Sequence, residues 1–69
     1  MNPEALNMSI RKFLKMVGVQ SQREIEEAVS RALASGRLKG SETLDARMTL
    51  TIAGVDLKVD FDGDIVLGE

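Results

Sequence analysis

The chain of 69 residues contains no cysteine, histidine, tryptophan or tyrosine, and only one proline. Without cysteine it forms no disulfide and no thiolate metal site, and without histidine a structural zinc is nearly excluded as well. No histidine is present to activate a serine, and no phosphate-binding or catalytic motif occurs. We therefore expect a non-enzymatic protein that uses no cofactor and no metal.

Long hydrophobic runs are also missing. No apolar segment approaches the roughly 20 residues that cross a bilayer, and the first residues lack the cationic and apolar regions of a signal peptide. A hydrophobic share of 43% is too high for a disordered tail. We expect one soluble domain over residues 1–69, located in the cytoplasm and without a membrane partner.

Charge is unevenly distributed along the chain. Residues 1–47 hold eight Lys or Arg against six Asp or Glu, whereas residues 48–69 hold one lysine against five acids. The first part is therefore mildly basic and the second acidic. An excess this small is weak support for nucleic-acid binding, which usually requires a strongly basic surface.

Apolar residues recur at helical spacing in the first half of the chain, which predicts two helices. The first, at about 3–17, has Asn2 as its N-cap, Pro3 in its first turn and Gly18 as its stop. The second, at about 22–35, begins at a capping box formed by Ser21 and Glu24 and ends at Gly36. The connection between them is compatible with an αα-hairpin or a helix-turn-helix angle.

After a polar connection at 37–45, apolar and polar residues alternate, which predicts strands at about 46–53, 55–61 and 65–68. A two-residue turn at 53–54 would pair Ile52 with Val55 and keep the apolar residues on one face. Asp62-Gly63 favours a second two-residue turn, but a three-residue loop at 62–64 buries Ile65 and Leu67 and is preferred. A bulge would reconcile the two signals. The fold class is therefore α+β, with two N-terminal helices packed on a C-terminal three-stranded antiparallel meander.

One surface of the predicted first helix is a candidate interaction surface. Met8, Arg11, Lys12 and Lys15 lie opposite its apolar side. Such a strip is most often a solvated helix face, and the alternative is a contact surface for an acidic partner or a phosphate backbone. The alternating acids Asp60, Asp62 and Asp64 do not match a calcium loop and are expected to solvate a hairpin.

Two resemblances bear on function. The segment Leu14–Ser21 looks like the turn of a winged helix-turn-helix, although Glu24 stands where that family usually has an apolar residue. Over nearly its whole length the chain resembles a family of short uncharacterised bacterial proteins, through MNPEALNMSIRKFLKMVGVQSQREIEEAV, ALASGRLKGSETL and ARMTLTI. That resemblance implies a small cytoplasmic protein and carries no activity or site.

The function predicted from the sequence is a protein-interaction module. Self-association would use an open strand edge or the outer face of the first helix. The alternative is nucleic-acid binding through Arg11, Lys12, Lys15 and Lys39.

Overall fold

A computed structural model describes residues 1–68. The elements in chain order are helix α1 (Pro3–Ala34), strand β1 (Thr43–Ile52), a short 3-10 turn (Ala53–Val55) and strand β2 (Leu57–Val66). The residues group into two compact units, Met1–Arg37 and the part from Leu38 onward. The α+β class is confirmed, but the predicted arrangement of two helices on a three-stranded meander is wrong.

A single helix of 32 residues replaces the two predicted ones. Gly18 lies in its interior with helical backbone, since the glycines with positive φ are Gly36 and Gly40. A glycine inside a helix costs roughly 0.5–1 kcal/mol relative to alanine. This is too little to end a helix that extends for several turns before and after the glycine. Ser21 and Glu24 are therefore interior residues of α1, and the predicted capping box does not form.

Both ends of α1 match the predicted signals. The Asn2 side chain accepts hydrogen bonds from the amides of Glu4 (3.0 Å) and Ala5 (3.2 Å). At the other end Gly36 adopts φ of 80°, and the amides of Gly36 and Arg37 donate to the carbonyls of Leu33 (3.2 Å) and Ala32 (2.9 Å). This pair of bonds is a Schellman motif, which requires the left-handed conformation that glycine adopts without strain.

The strands form one antiparallel hairpin, in which Ile52 pairs with Leu57 and Thr43 with Val66. The predicted two-residue turn at 53–54 is wrong, because the loop spans residues 53–56. A two-residue type I′ turn would place Ala53 at positive φ, which is unfavourable for alanine. In the longer loop only Asp56 is left-handed, at φ of 52°, and aspartate tolerates that conformation.

The predicted loop at 62–64 and the separate strand at 65–68 are also wrong. Strand β2 continues through Gly63, because β1 begins at Thr43 and is long enough to pair with all ten of its residues. Ile65 thus lies opposite Leu44, on the same face as the other apolar side chains, without a turn. The amide of Leu67 extends the pairing by donating to the carbonyl of Glu42 at 3.0 Å.

Candidate interaction surfaces

The predicted strip on α1 is brought together by the structure. At 100° per residue, Met8, Arg11, Lys12 and Lys15 fall within an arc of about 100° of the helix surface. All four are exposed, and Met8 is 71% accessible. Lys39, the fourth cation of the nucleic-acid hypothesis, lies in the other unit. A role of this strip in binding stays a prediction.

The opposite side of α1 carries a row of apolar residues, which we call the helix stripe. Its members lie within an arc of about 100° and are Leu6, Ile10, Leu14, Val17, Ile25, Ala28 and Ala32. Leu6, Ile10 and Leu14 are 47%, 46% and 55% exposed. Between Val17 and Ile25 the same arc holds the polar residues Ser21 and Glu24, so the helix presents two apolar segments on about the same side, one before and one after Gly18.

The hairpin separates apolar from polar residues between its two faces, except that Val66 lies opposite Thr43 on the polar one. The register places Leu44 opposite Ile65, Met48 opposite Phe61 and Leu50 opposite Val59. We call this side the hairpin apolar face; it consists of Leu44, Ala46, Met48, Leu50, Ile52, Leu57, Val59, Phe61 and Ile65. Phe61 remains 57% exposed there. The alternation is evident from the sequence, but Ile65 was predicted in a separate strand.

The other side of the hairpin is polar and internally bonded. Arg47 Nε donates to Asp62 Oδ1 at 2.6 Å, and Thr49 Oγ1 donates to Asp60 Oδ1 at 2.7 Å. Asp64 pairs with Asp45 in the register. Within residues 1–68, no group of three or more acidic side chains has an arrangement that could hold a metal ion. Asp60 and Asp62 therefore serve as cross-strand partners on a solvated face, whereas Asp64 faces the like charge of Asp45.

Glu42 organises the loop before β1, a role that sequence analysis missed. Its carboxylate accepts hydrogen bonds from the amides of Lys39 (2.9 Å), Gly40 (2.9 Å) and Ser41 (3.1 Å). These bonds, that from Lys39 foremost, lower the pKa of Glu42, because they stabilise the charged form. Gly40 adopts φ of 106° in this loop, a conformation that favours glycine.

Both strands of the hairpin also have an outer edge that pairs with no further strand in the part of the chain described. Backbone amides and carbonyls at such edges can pair with another extended chain. The strand edge predicted as a route to self-association is thus present twice. Because pairing at either edge uses backbone atoms, its hydrogen bonds do not themselves select a partner by its side chains.

Comparison with known proteins places the chain beside other proteins without an assigned role. A family model described as a family of unknown function (DUF6494) matches residues 1–68. Neither the curated proteins nor the solved structures contain a match. Within the described residues, no helix is both long and apolar enough to cross a membrane.

Proposed function

The chain belongs to this family of unknown function, and from its own surfaces we propose that it is a non-enzymatic protein-interaction module. It acts by burying the helix stripe and the hairpin apolar face when it associates. The partner we favour is a second copy of the same chain. The polar contacts of the hairpin and of Glu42 serve the structure of the second unit rather than a reaction.

The observation that carries this proposal is the absence of any buried side chain among residues 1–68. Large apolar residues are instead exposed on faces that the fold has separated from the charged ones. Burying one such side chain completely is worth about 1.5–3 kcal/mol. Association would therefore supply a hydrophobic core to surfaces that are already sorted into apolar and polar sides.

The elements themselves support the same conclusion. A two-stranded hairpin is marginally stable in water unless its apolar face is covered. A helix likewise gains most of its stability from packing its apolar side, and less from intrinsic propensity. Association that covers the stripe or the hairpin apolar face would therefore stabilise the fold, so that folding and association are linked.

Nucleic-acid binding is the alternative function. The helix-turn-helix outline that favoured it is lost, because α1 continues through Gly18 and Ser21. What supports it is the common arc of Arg11, Lys12 and Lys15, although the same arc continues to Glu26. Phosphate contacts weaken steeply with salt, so fluorescence anisotropy with duplex DNA and RNA at two salt concentrations tests it. Absence of binding at low salt eliminates it.

Thermal unfolding at different protein concentrations tests the proposed function. If association stabilises the folded chain, Tm rises between about 1 and 100 µM protein. Two matched variants identify the surface, since Leu14→Gln alters the helix stripe and Met8→Gln alters the predicted strip. We expect Leu14→Gln to reduce the concentration dependence and Met8→Gln to retain it. A Tm independent of concentration, with a monomeric mass by light scattering, contradicts the proposal.

A further inference from the structure

Strand β1 carries one acidic and one basic side chain, two residues apart on the polar face of the hairpin. Asp45 and Arg47 are both exposed, and no other residue of the strand is charged, so its net charge is zero. Strand β2 differs, because its three aspartates outnumber its one lysine and give it a net charge of −2. The two outer edges of the hairpin are therefore unequal in charge.

The two charges of β1 are only partly paired within the hairpin. Asp45 lies opposite Asp64, a residue of like charge, and forms no salt bridge within residues 1–68. Arg47 bonds to Asp62 through Nε, and the terminal nitrogens of a guanidinium can donate to a second carboxylate at the same time. One strand thus carries a carboxylate without a cation and a guanidinium with donors to spare.

The backbone of these two residues is directed to the outer edge of β1. The amide of Leu67 donates to the carbonyl of Glu42 at 3.0 Å, so the backbone of Glu42 is directed toward β2. In an antiparallel ladder every second residue bonds to the same neighbour. Asp45 and Arg47 are an odd number of residues from Glu42, so their amides and carbonyls are directed away from β2, where a further strand would bond to them.

We propose that β1 pairs in antiparallel orientation with β1 of a second copy, about a twofold axis at Ala46, so that two hairpins form one four-stranded sheet. This inference rests on the proposed function and specifies its partner and geometry. A twofold axis brings residues at equal distances from Ala46 opposite each other. Asp45 then lies opposite the partner's Arg47, and this pair occurs twice. On the apolar face, Leu44 lies opposite the partner's Met48.

Charge selects this register from its neighbours. A twofold axis at Asp45 would set two aspartates opposite each other, and an axis at Arg47 would do the same with two arginines. Like charges directly opposite each other destabilise a pair of strands. A register shifted by one residue would instead join the apolar face of one hairpin to the polar face of the other. The axis at Ala46 avoids both and gives two pairs of opposite charge.

Charge also selects the edge. Pairing through β2 would bring together two strands that each carry a net charge of −2. Pairing through β1 joins two neutral strands whose charged residues are complementary at the contact itself. Complementary charge favours the correct partner and suppresses wrong pairings, so we assign the contact to β1.

The proposed pairing also enlarges the hairpin apolar face. Strands in a sheet are about 4.8 Å apart, so the apolar surface widens from about 10 Å for two strands to about 19 Å for four. A two-stranded hairpin alone is marginally stable, whereas a sheet of three or more strands with an apolar face can be stable. Association through β1 thus joins the two apolar surfaces into one.

Two single charge changes test the register, because they complement each other only in a mixed pair. Asp45→Arg sets arginine opposite the partner's Arg47, and Arg47→Asp sets aspartate opposite the partner's Asp45. Each variant alone should therefore self-associate about tenfold more weakly at low salt, with a smaller difference at high salt. An equimolar mixture sets the arginines of one chain opposite the aspartates of the other and should restore association, which also shows that both variants fold.

Two variants of β2 are the matched controls. Asp60→Arg and Lys58→Asp make the same two changes of charge on exposed residues of the other strand. They should leave self-association unchanged, both alone and in a mixture. Sedimentation equilibrium of each variant and each mixture measures these differences.

A single cysteine locates the axis, because the natural chain has none. In the proposed sheet the two copies of residue 46 face each other at a Cα separation of about 4.5 Å, which suits a disulfide. Ala46→Cys should therefore form a covalent dimer with oxidised glutathione. Met48→Cys is the control on the same face and should not, since its two copies are about 13 Å apart along the strands.

The outcomes separate the geometry from the proposed function. If the natural chain associates but the mixture of Asp45→Arg and Arg47→Asp does not restore association, or Ala46→Cys forms no covalent dimer, the pairing through β1 is overturned while the proposed function stays in place. A chain that is monomeric at every concentration overturns both.

Discussion

Arg47 and Asp62 face each other across the hairpin, and their side chains are joined by a bond of 2.6 Å between Nε and Oδ1. The pair marks the register of the strands. With the predicted turn at 53–54, Arg47 would have faced Asp60 instead, which in the structure pairs with Thr49. A four-residue loop therefore shifts the whole ladder by two positions.

A double-mutant cycle on Arg47 and Asp62 tests this register by measuring the coupling free energy between the two side chains. Both side chains are more than 60% exposed, so we expect a coupling free energy of about 0.2–1 kcal/mol that is reduced by added salt. The same cycle on Arg47 and Asp60 is the control and should give no coupling, because Asp60 faces Thr49. Coupling to Asp60 in place of Asp62 would restore the register predicted from the sequence.

In the hairpin, the alternation of apolar and polar residues determines the face of each side chain but not the register of the strands. A shift by two residues keeps every side chain on its original face, so Met48, Leu50 and Val59 were correctly assigned to one side. The register itself depends on loop length, and here on Asp56 adopting a left-handed backbone. Asp62-Gly63 has the composition of a turn, but strand pairing with Arg47 and Ala46 overrides that local preference.

Two glycine substitutions distinguish one helix from two. Gly18→Ala should stabilise the fold by roughly 0.5–1 kcal/mol, because an interior position gains helix propensity and a Cβ at this position would have no neighbour within 4 Å. Gly36→Ala should destabilise it by about 1–2 kcal/mol, because φ is 80° there. Circular dichroism during thermal unfolding gives both values. Destabilisation by Gly18→Ala would indicate a helix end at that residue.

Substitution of the two predicted N-caps makes a complementary test. Asn2→Ala removes an acceptor for two amides and should cost about 0.5–2 kcal/mol of helix stability. Ser21→Ala should be neutral or slightly stabilising, because Ser21 is inside α1 and alanine has the higher helix propensity. Chemical denaturation of both variants checks the difference. A larger cost at Ser21 than at Asn2 would contradict the continuous helix.

The ends of α1 were predictable and its continuity was not, for one physical reason. Asn2 and Gly36 act through local hydrogen bonds, which sequence signals describe well. Gly18 and Ser21 also resemble end signals, but neither residue costs enough inside a helix to end it.

Acidification should loosen the loop before β1. The pKa of Glu42 is lower in the folded chain than its ordinary value of 4.5, with the amide of Lys39 as the largest cause. Its stabilising effect is therefore fully present above pH about 4.5 and is lost as pH falls through the lowered value. NMR titration of the Glu42 carboxyl measures its pKa. Hydrogen exchange at the amides of Lys39, Gly40 and Ser41 measures the loss of loop stability.

Glu42→Gln is the control for that titration. The amide oxygen keeps the shape of the acceptor but has no charge to lose. The exchange protection of these three amides should therefore be reduced already at neutral pH and should change little on acidification. A wild-type loop that retains its exchange protection below the lowered pKa would contradict the assigned role of Glu42.

The candidate site was predicted in part. Composition and spacing identified the strip of Met8, Arg11, Lys12 and Lys15, because charged residues on a helix follow its period. They did not identify the helix stripe as an exposed surface, since the two predicted helices were expected to bury it against strands. Glu42 was missed because its partners are backbone amides, which carry no side-chain signal.

Sedimentation equilibrium of the unmodified chain tests the central claim most directly. If association covers the exposed apolar surfaces, the mass at micromolar concentrations approaches about 15 kDa, twice the 7.5 kDa of one chain. Dilution should then lower both the mass and the helical signal together, because folding and association are linked. A mass of 7.5 kDa at every concentration, with full helical signal, would contradict the account.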